Sequence, residues 1–254
     1  MTIYSKHTIR DGDKEKGGIR NGYLLLDKTF CSTCPSRDYG VFHCAGLDSL
    51  SEVSEEKVRL NFKKKEMVFH AQEIVTGFYC IEKGLVRTYK ANIGARAQTF
   101  QLASRGKWIG FRDAIAGADY NHSAMCMEDT VLCYIPKETI LRLIKVDPSF
   151  QLEVMKYLAE EWKVVENNVH SLGTKQIHSR LADLLITFSD AANKDSELTI
   201  DVTREVMATC IGTTKETLIR SLSDFKDRKW IGIDKNKIEL LNRKVLSELA
   251  EVAS

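Results

Sequence analysis

The chain has 254 residues, a formal net charge of +2 and 43% hydrophobic residues. This size and composition predict one or two folded domains with an ordinary core, and the near-neutral charge by itself indicates no class of partner. No apolar run reaches membrane-spanning length, and the polar stretch from Met1 to Gly22 has no apolar signal-peptide core. We therefore expect a cytoplasmic protein without a membrane partner.

The seven cysteines stand at positions 31, 34, 44, 80, 126, 133 and 210. An odd number in a cytosolic chain argues against a disulfide framework. Cys31-x-x-Cys34 places two thiolates on one tight turn, and Cys44 follows closely. Three soft ligands in so short a segment favour zinc or an iron–sulfur cluster, the alternative being reduced thiols without a role. Cys80 and Cys210 lie in apolar patterns typical of buried structural thiols.

The first half of the chain predicts a tail, a short helix and a set of strands. Residues 1–30 are predicted to be a flexible tail, since Met1 to Asn21 is charged and lacks periodicity. Leu47 to Phe62 is amphipathic and predicts one helix. Short β-prone runs separated by glycine turns fill Lys65 to Pro136, which predicts an antiparallel barrel or sandwich. The predicted strands are Met67–Phe69, Phe78–Ile81, Leu85–Tyr89, Thr99–Leu102 and Thr130–Ile135.

A short helix is predicted to begin at Pro136 and to run to Val146. A long helix is then predicted from Pro148 to Gly173. Its apolar residues recur at steps of three and four and form a stripe as narrow as a coiled-coil seam. They are Met155, Leu158, Trp162, Val165, Val169 and Leu172. We expect this seam to meet its twin across a two-fold axis, making a homodimer. The alternative is a helix packed on its own domain.

The last third predicts a helix over Gln176 to Ala192, a short strand at 198–200, and two short helices joined at Ile211-Gly212. Thr203 can cap the first short helix, which runs to Cys210. A capping box from Thr213 to Glu216 predicts that the second starts at Thr214. A hairpin over 230–240 follows. Two helices about a glycine turn, followed by a hairpin, indicate a winged helix-turn-helix.

The outward face of the second short helix is polar and suits DNA. Arg220 can pair bidentately with guanine, Glu216 can accept from a cytosine amine, and Lys215 suits a base edge or a phosphate. Thr203 and Arg204 stand at a helix start, where backbone amides and a guanidinium can hold a phosphate. From 203 to 244 there are ten Lys or Arg against six Asp or Glu, a local charge of +4.

Residues 30–245, read in order, resemble the Crp/Fnr superfamily of bacterial transcription regulators. Thr203-Arg204-Glu205 and the run Thr213-Thr-Lys-Glu-Thr-Leu-Ile-Arg220 look like that family's reading helices. Ile219 stands where the anaerobic regulators usually have serine, so the half-site is expected to differ from theirs.

The resemblance implies an α+β fold. A cysteine-rich segment and an antiparallel β-roll like a cyclic-nucleotide-binding jelly roll would span 31–147, a dimerisation helix 148–173, and a winged helix-turn-helix 174–254. It implies a DNA-binding regulator that is not an enzyme, with Thr213 also placed at the DNA. The implied partners are palindromic double-stranded DNA, a second copy of the chain and RNA polymerase.

Two family patterns bear on the sensor. Cyclic-AMP binders carry Gly-Glu and then Arg-Ser or Arg-Thr, whereas this chain has Gly110-Phe111 and His122-Ser123, so no cyclic nucleotide is expected. The Fnr branch instead holds a [4Fe–4S] cluster on three N-terminal cysteines and one from the roll.

Cys31 and Cys34 match the first two cluster ligands of that branch, and Cys133, just before Pro136, resembles the fourth. The family usually places the third where this chain has Gly40 or Phe42, so Cys44 is our candidate. Cys126 and His43 are possible substitutes.

The sequence hypothesis is therefore an oxygen- or redox-responsive regulator in which an intact [4Fe–4S] cluster favours one packing of the dimerisation helix. Oxygen would break the cluster and weaken operator binding. Rival hypotheses keep the fold but sense NO through haem, a small effector, or thiol oxidation; a constitutive DNA-binding dimer is a further one. The candidate haem ligands are His43, His70 and His122.

Overall fold

The computed structural model describes residues 19–20, 23–25, 30–91, 97–194, 202–234 and 237–251. The chain divides into two compact units, the first made of residues 1–90 and 100–161 and the second of 91–99 and 162–254. Within the described residues, no helix combines the length and apolar character needed to cross a bilayer.

Two antiparallel sheets form the roll of the first unit. One has the strand order β1-β2-β3-β10-β5-β8 and the other β4-β9-β6-β7. The strands are β1 (Ile19–Arg20), β2 (Tyr23–Leu25), β3 (Val58–Phe62), β4 (Met67–Phe69), β5 (Gly77–Lys83), β6 (Val86–Lys90), β7 (Gln98–Ala103), β8 (Trp108–Ile109), β9 (Ser123–Cys126) and β10 (Thr130–Pro136). The predicted β-roll is confirmed. β1 and β2 lie inside the segment predicted as a tail, most of which falls outside the described residues.

The helix predicted over Leu47 to Phe62 is wrong in its second half. Helix α1 spans Leu47–Glu56, and the chain then enters β3 after Lys57. Leu60 and Phe62 alternate into the core with the period of a strand, and β3 pairs with β10 over its whole length. Long-range pairing therefore overrides the local amphipathic pattern.

The core of the first unit is rich in aromatic rings. Trp108 lies at its centre, with ring centroids 5.0 Å from Phe42, 4.9 Å from Phe78 and 4.7 Å from Phe111. Phe111 begins helix α2 (Phe111–Ala116), which the sequence analysis did not predict from periodicity. These contacts fix the segment that carries Phe42, and so the cysteine-rich segment, against the roll.

Helix α3 (Lys137–Val146) and helix α4 (Pro148–Thr174) form where they were predicted. Most of the predicted α4 seam is exposed in the single chain, with Trp162 and Val169 each 65% and Met155 61% exposed. Leu158 differs, because it packs against the core of the first unit together with Tyr157. Leu158 is half-buried, so it exposes less apolar surface to a partner than the other seam residues named here.

The second unit contains helices and a hairpin. Its elements after α4 are α5 (Ile177–Lys194), α6 (Arg204–Cys210), α7 (Lys215–Asp227), β11 (Ile231–Asp234), β12 (Lys237–Leu240) and α8 (Arg243–Glu251). α5, α6, α7 and the β11–β12 hairpin confirm the winged helix-turn-helix. The predicted strand at 198–200 lies outside the described residues, and α8 was not predicted from the sequence.

The turn between α6 and α7 differs from the predicted capping box by one residue. Gly212 has φ +64°, a left-handed conformation that favours glycine. Thr214, rather than Thr213, is the N-cap, and its hydroxyl accepts from the Thr217 amide at 3.0 Å. The first helical residue is therefore Lys215.

Candidate functional site

Four cysteine side chains line one pocket in the first unit. Cys31, Cys34, Cys80 and Cys133 all border this pocket. Three of them were predicted as metal ligands and one, Cys80, was not. The other residues that line the pocket are Ser36, Arg37, Phe42, Lys57, Glu82 and Ile135.

The turn that carries Cys31 and Cys34 is tied to the roll at both ends. The Cys31 amide donates to the Ser54 hydroxyl at 2.8 Å, which fastens the turn to α1. The Ser36 hydroxyl donates to the Glu82 carbonyl at 2.6 Å, which fastens it to β5. Cys31 itself is buried. The turn therefore presents two thiols at a fixed place above the sheet.

The strand register brings Cys80 and Cys133 together. Cys133 on β10 is the direct partner of Cys80 on β5 and of Arg59 on β3. Residues directly opposite in antiparallel strands project from the same face of the sheet. Both thiols therefore face the turn with Cys31 and Cys34, although Cys133 lies 99 residues (133 − 34) beyond Cys34.

A buried lysine accompanies the thiols. Lys57 is only 6% exposed, and its side chain hydrogen-bonds to Cys31. Burial lowers the pKa of Lys57, but Cys133, Cys31 and Cys34 outweigh that effect and raise it overall. Lys57 therefore remains a cation beside the thiols.

The neighbouring carboxylate in the pocket is already matched. Arg59 donates to both oxygens of Glu82, through Nε at 2.6 Å and through Nη2. Cys133 Sγ also lies 3.8 Å from Glu82 Oε2. Because Arg59 offsets the charge of Glu82, the Lys57 charge is left to attract an anionic group in the pocket.

Cys80 and Cys133 favour the protonated thiol. Burial, together with Glu82 and the neighbouring thiols, outweighs Lys57 and raises the pKa of Cys133 to about 12. Burial likewise raises the pKa of Cys80 well above its ordinary value. Metal binding would have to displace these protons.

A single-ion site differs from what the pocket offers. Among the residues that the structure describes, no three His, Cys, Asp or Glu side chains lie close enough to share one metal ion. Four thiols around a pocket instead suit a group with several metal atoms, each taking one thiolate.

Cys44 and Cys126 lie outside this pocket. Cys44 Sγ donates to the Val41 carbonyl at 3.2 Å, and burial and then Glu153 raise the pKa of Cys44. Cys126 is buried beside Thr130, and burial raises its pKa to about 12. The structure thus brings together three of the four predicted ligands, Cys44 being the exception.

The cysteine-rich segment rests on the first turns of α4. Phe42 borders the pocket, and its ring is 6.0 Å from that of Phe150 on α4. His43 Nε2 lies 3.9 Å from Glu153 Oε1. A movement of this segment would therefore change its contacts with α4.

The candidate haem ligands lie in different surroundings. His43 and His70 are exposed, whereas His122 is buried with Nδ1 3.6 Å from Asp113 Oδ2. Phe111, which stands where cyclic-AMP binders have an acid, is buried.

The predicted DNA-reading face of α7 is exposed and polar. Leu218 and Phe225 are fully buried, while Lys215, Glu216 and Arg220 are exposed. The Arg180 guanidinium donates to the Ile211 carbonyl at 2.7 Å and so holds the turn before α7 against α5. The helix can therefore present a rigid face to a groove.

At the start of α6, the Thr203 hydroxyl accepts from the Val206 amide at 3.3 Å, so the predicted cap is confirmed. Arg204 is half-buried with Nη1 3.5 Å from Met207 Sδ, and burial lowers its pKa. Thr213 is half-buried beside the N-cap of α7. These residues lie at the N-terminal ends of α6 and α7.

Sequence reasoning missed Cys80 and Lys57 as pocket residues. Cys80 stands in a predicted strand, but only the register with β10 reveals which face it shares. Lys57 was placed inside a helix that in fact ends at Glu56. The available signal was local: Lys57 lies four residues after Val53 and directly before Val58.

Two family profiles match the chain. The cyclic nucleotide-binding domain matches residues 59–147, and the Crp-like helix-turn-helix domain matches residues 179–249.

The chain is also similar to curated proteins named fumarate and nitrate reduction regulatory protein. It is 27% identical to the one from Vibrio cholerae over 211 residues, covering 82% of this chain and 83% of the relative. It is 25% identical to that of Escherichia coli K12 over 208 residues, covering 80% and 82%.

Solved structures give the same fold. FixK2 from Bradyrhizobium japonicum aligns with a TM-score of 0.72 at 22% identity, covering 78% of this chain and 99% of that one. A Crp/Fnr-family transcriptional regulator from Thermus thermophilus aligns with a TM-score of 0.64 at 21% identity, covering 77% and 100%.

Proposed function

We propose that this chain controls its DNA binding through a [4Fe–4S] cluster in the pocket bordered by Cys31, Cys34, Cys80 and Cys133, the thiol pocket. The chain belongs to the Crp/Fnr family of transcription regulators, and it binds DNA through its winged helix-turn-helix. The observation that carries the proposal is the meeting of Cys31, Cys34 and Cys133 at one pocket beside the buried Lys57. When bound, such a cluster would supply a centre that is sensitive to oxygen and to redox change.

The residues present fit this group in their chemistry. Thiolates are the ligands that iron–sulfur clusters take, and the pocket offers four sulfur atoms. The cluster with its thiolates is anionic, and Lys57 contributes an opposite charge in a buried setting. Cys44 remains the sequence candidate for the remaining ligand, and it would have to leave its contact with Val41 to reach the pocket.

The step from pocket to DNA would run through the residues on α4. Phe42 lies between the pocket and Phe150, and His43 faces Glu153. A cysteine-rich segment held at the pocket would keep these contacts, and a released one would loosen them. α4 would then shift between two packings, each with its own affinity for DNA.

The exposed seam of α4 supports a homodimer. Regulators of this family bind DNA as dimers, and Met155, Trp162, Val165, Val169 and Leu172 form an apolar stripe that a second copy would cover. Two copies would present two α7 helices to a palindromic site in the cytoplasm, where RNA polymerase would be the further partner.

Base reading would rest on α7. Arg220 would pair with guanine and Glu216 with a cytosine amine, while Lys215 would take a base edge or a phosphate. Thr203, Arg204 and Thr213 would position the unit on the backbone.

Anaerobic purification tests the sensor. We expect about four irons and four sulfides per chain, with a visible absorption that bleaches in air as binding to a selected DNA site weakens. A metal-free chain whose DNA binding is the same in air and argon would exclude the cluster. A sharp Soret band would instead indicate haem and the histidines.

Alanine at Arg220 tests the DNA face. We expect a loss of about 1–3 kcal/mol in binding, with specificity relaxed at one base position. Lys226→Ala, on the exposed last turn of α7, is the matched control and should bind like the wild type. If the Arg220→Ala variant and the wild type bound DNA with equal affinity in a titration, Arg220 would not be a base-reading residue.

Thiol oxidation without a cluster is a second candidate, and the pairing of Cys80 with Cys133 favours it. Direct partners in antiparallel strands have Cα atoms about 4.5–5.5 Å apart, within the range of disulfides. Hydrogen peroxide would take one hydrogen from each thiol, leaving the S–S bond and two water molecules. Peptide mass mapping after peroxide treatment of metal-free protein would detect the linked pair.

A further inference from the structure

We infer that Cys80 is the fourth ligand of the proposed cluster, so that the roll supplies two thiolates and the cysteine-rich segment supplies the other two. The inference rests on the proposed function and assigns its ligand set. It replaces Cys44, the ligand expected from the sequence.

The geometry of the sheet places Cys80 in the pocket. β5 and β10 are hydrogen-bonded neighbours, and Cys80 is the direct partner of Cys133. The side chains of such a pair share one face, and both border the pocket with Cys31 and Cys34. A ligand role for Cys133 would therefore place Cys80 beside the same group.

The surroundings of Cys44 point the other way. Its Sγ is held by the Val41 carbonyl, and the charged groups that act on it are Glu153, Asp147 and Lys156. Arg37 fixes the adjoining backbone by donating to the Phe42 carbonyl at 3.4 Å and, through Nη2, to the His43 carbonyl at 3.3 Å. Moving Cys44 into the pocket would break these hydrogen bonds.

A close backbone contact further restrains this segment. A Cβ on Gly40 would lie 2.3 Å from the Gly106 carbonyl oxygen, so these two backbones touch with no space between them. Gly106 itself has φ +80°, which favours glycine. The segment from Gly40 to Cys44 is thus packed in place on the roll.

Lys57 supplies one positive charge at the pocket that Glu82 does not neutralise. Lys57 hydrogen-bonds to Cys31 and acts electrostatically on Cys80 and Cys133, while Arg59 offsets Glu82. The same lysine therefore serves all the thiols at the pocket, including Cys80.

The test is anaerobic cluster reconstitution of full-length chains carrying Cys80→Ser, Cys44→Ser or Cys126→Ser. We expect Cys80→Ser to lose most of its iron and sulfide, and Cys44→Ser and the control Cys126→Ser to retain about four of each. Retention by Cys80→Ser would overturn the inference, and so would loss in Cys44→Ser.

Folding is checked separately. Thermal unfolding of the metal-free chains and their circular dichroism show whether Cys80→Ser keeps the roll, and Cys80→Ala provides a second variant that leaves no polar group behind. Iron loss in both folded variants supports the ligand role. If only the serine variant loses iron, the introduced hydroxyl is the cause and the inference fails.

Failure of the proposed function looks different. A wild-type chain that takes up no iron under these conditions overturns the cluster proposal and the ligand assignment together. One bound zinc per wild-type chain would overturn the cluster proposal. If the Cys80→Ser variant were then the only variant to lose that zinc, the result would still support Cys80 as a metal ligand.

Discussion

Lys57 shows how a single side chain defines the character of the pocket. A lysine is seldom buried unless an opposite charge is close, and the groups that act on Lys57 are thiols. Its backbone amide donates to the Val53 carbonyl at 2.9 Å at the C-terminal end of α1. The end of this helix therefore places the Lys57 ammonium beside the thiols. The residue thus links local structure to the chemistry of the site.

Replacing Lys57 by Met removes the charge and keeps the length. We expect Lys57→Met to release iron to a chelator several-fold faster than the wild type, because the anionic thiolates lose their counter-charge. Lys57→Arg keeps the charge and should behave like the wild type. Equal release rates for Lys57→Met and wild type under argon would contradict this role.

His122 gives the stability a defined pH dependence. Burial lowers its pKa, with Asp113 acting in the opposite direction, so the folded chain takes up the proton at lower pH than the unfolded chain. Between the unfolded value of 6.5 and the lower folded value, the unfolded state binds more protons, so stability falls as pH falls.

In the variant His122→Gln this part of the pH dependence should disappear. Urea unfolding at about pH 7.5 and about pH 5.5 measures it as the difference between the two free energies of unfolding. An unchanged difference in His122→Gln would mean that other groups cause the decline.

The elements differ in how far the sequence determines them. The bounds of α3 and α4 and the start of α7 were predicted to within one residue, because apolar spacing, prolines and threonine caps are local signals. β3 was missed because the amphipathic pattern that begins at Leu47 was extended to Phe62, although Val58, Leu60 and Phe62 alternate with the period of a strand. Its pairing partner, β10, lies about 70 residues away. Which cysteines lie together likewise depends on the register between β5 and β10, and no local sequence pattern encodes that register.

α4 combines two surfaces. Phe150 and Val154 are buried in the first unit and Tyr157 packs against its core, whereas Trp162 and Val169 are exposed. The helix therefore anchors at one end and offers an apolar stripe along the rest. Leu158 belongs to the anchored part, which the spacing alone did not reveal.

Glutamate at Trp162 tests the stripe. Two such charges would face each other across a two-fold axis, so we expect the dimer dissociation constant to rise by about two orders of magnitude or more. Lys163→Glu, at the neighbouring exposed position, is the control with little expected effect. Sedimentation that shows the same dimer in Trp162→Glu would place the interface elsewhere.

At the scale of the whole molecule, the proposed two-fold dimer, with one α7 in each copy, would determine the form of the DNA site. We expect two inverted half-sites whose centres lie about one helical turn apart. Inserting about five base pairs between them should abolish tight binding, because one half-site then faces the opposite side of the duplex. Binding that tolerates the insertion in a gel-shift titration would indicate independent DNA-binding units.

The positions of the pocket cysteines along the chain also determine when the site can form during protein synthesis. Cys31 and Cys34 leave the ribosome long before β10, which carries Cys133, and the pocket is closed only when β10 lies between β3 and β5. Delivery of the proposed cluster would therefore have to act on a nearly finished first unit rather than on the emerging N-terminus. A chain that stops before residue 130 would expose two cysteines with no sheet to receive them, and we expect it to be handled by the cell as an unfinished product.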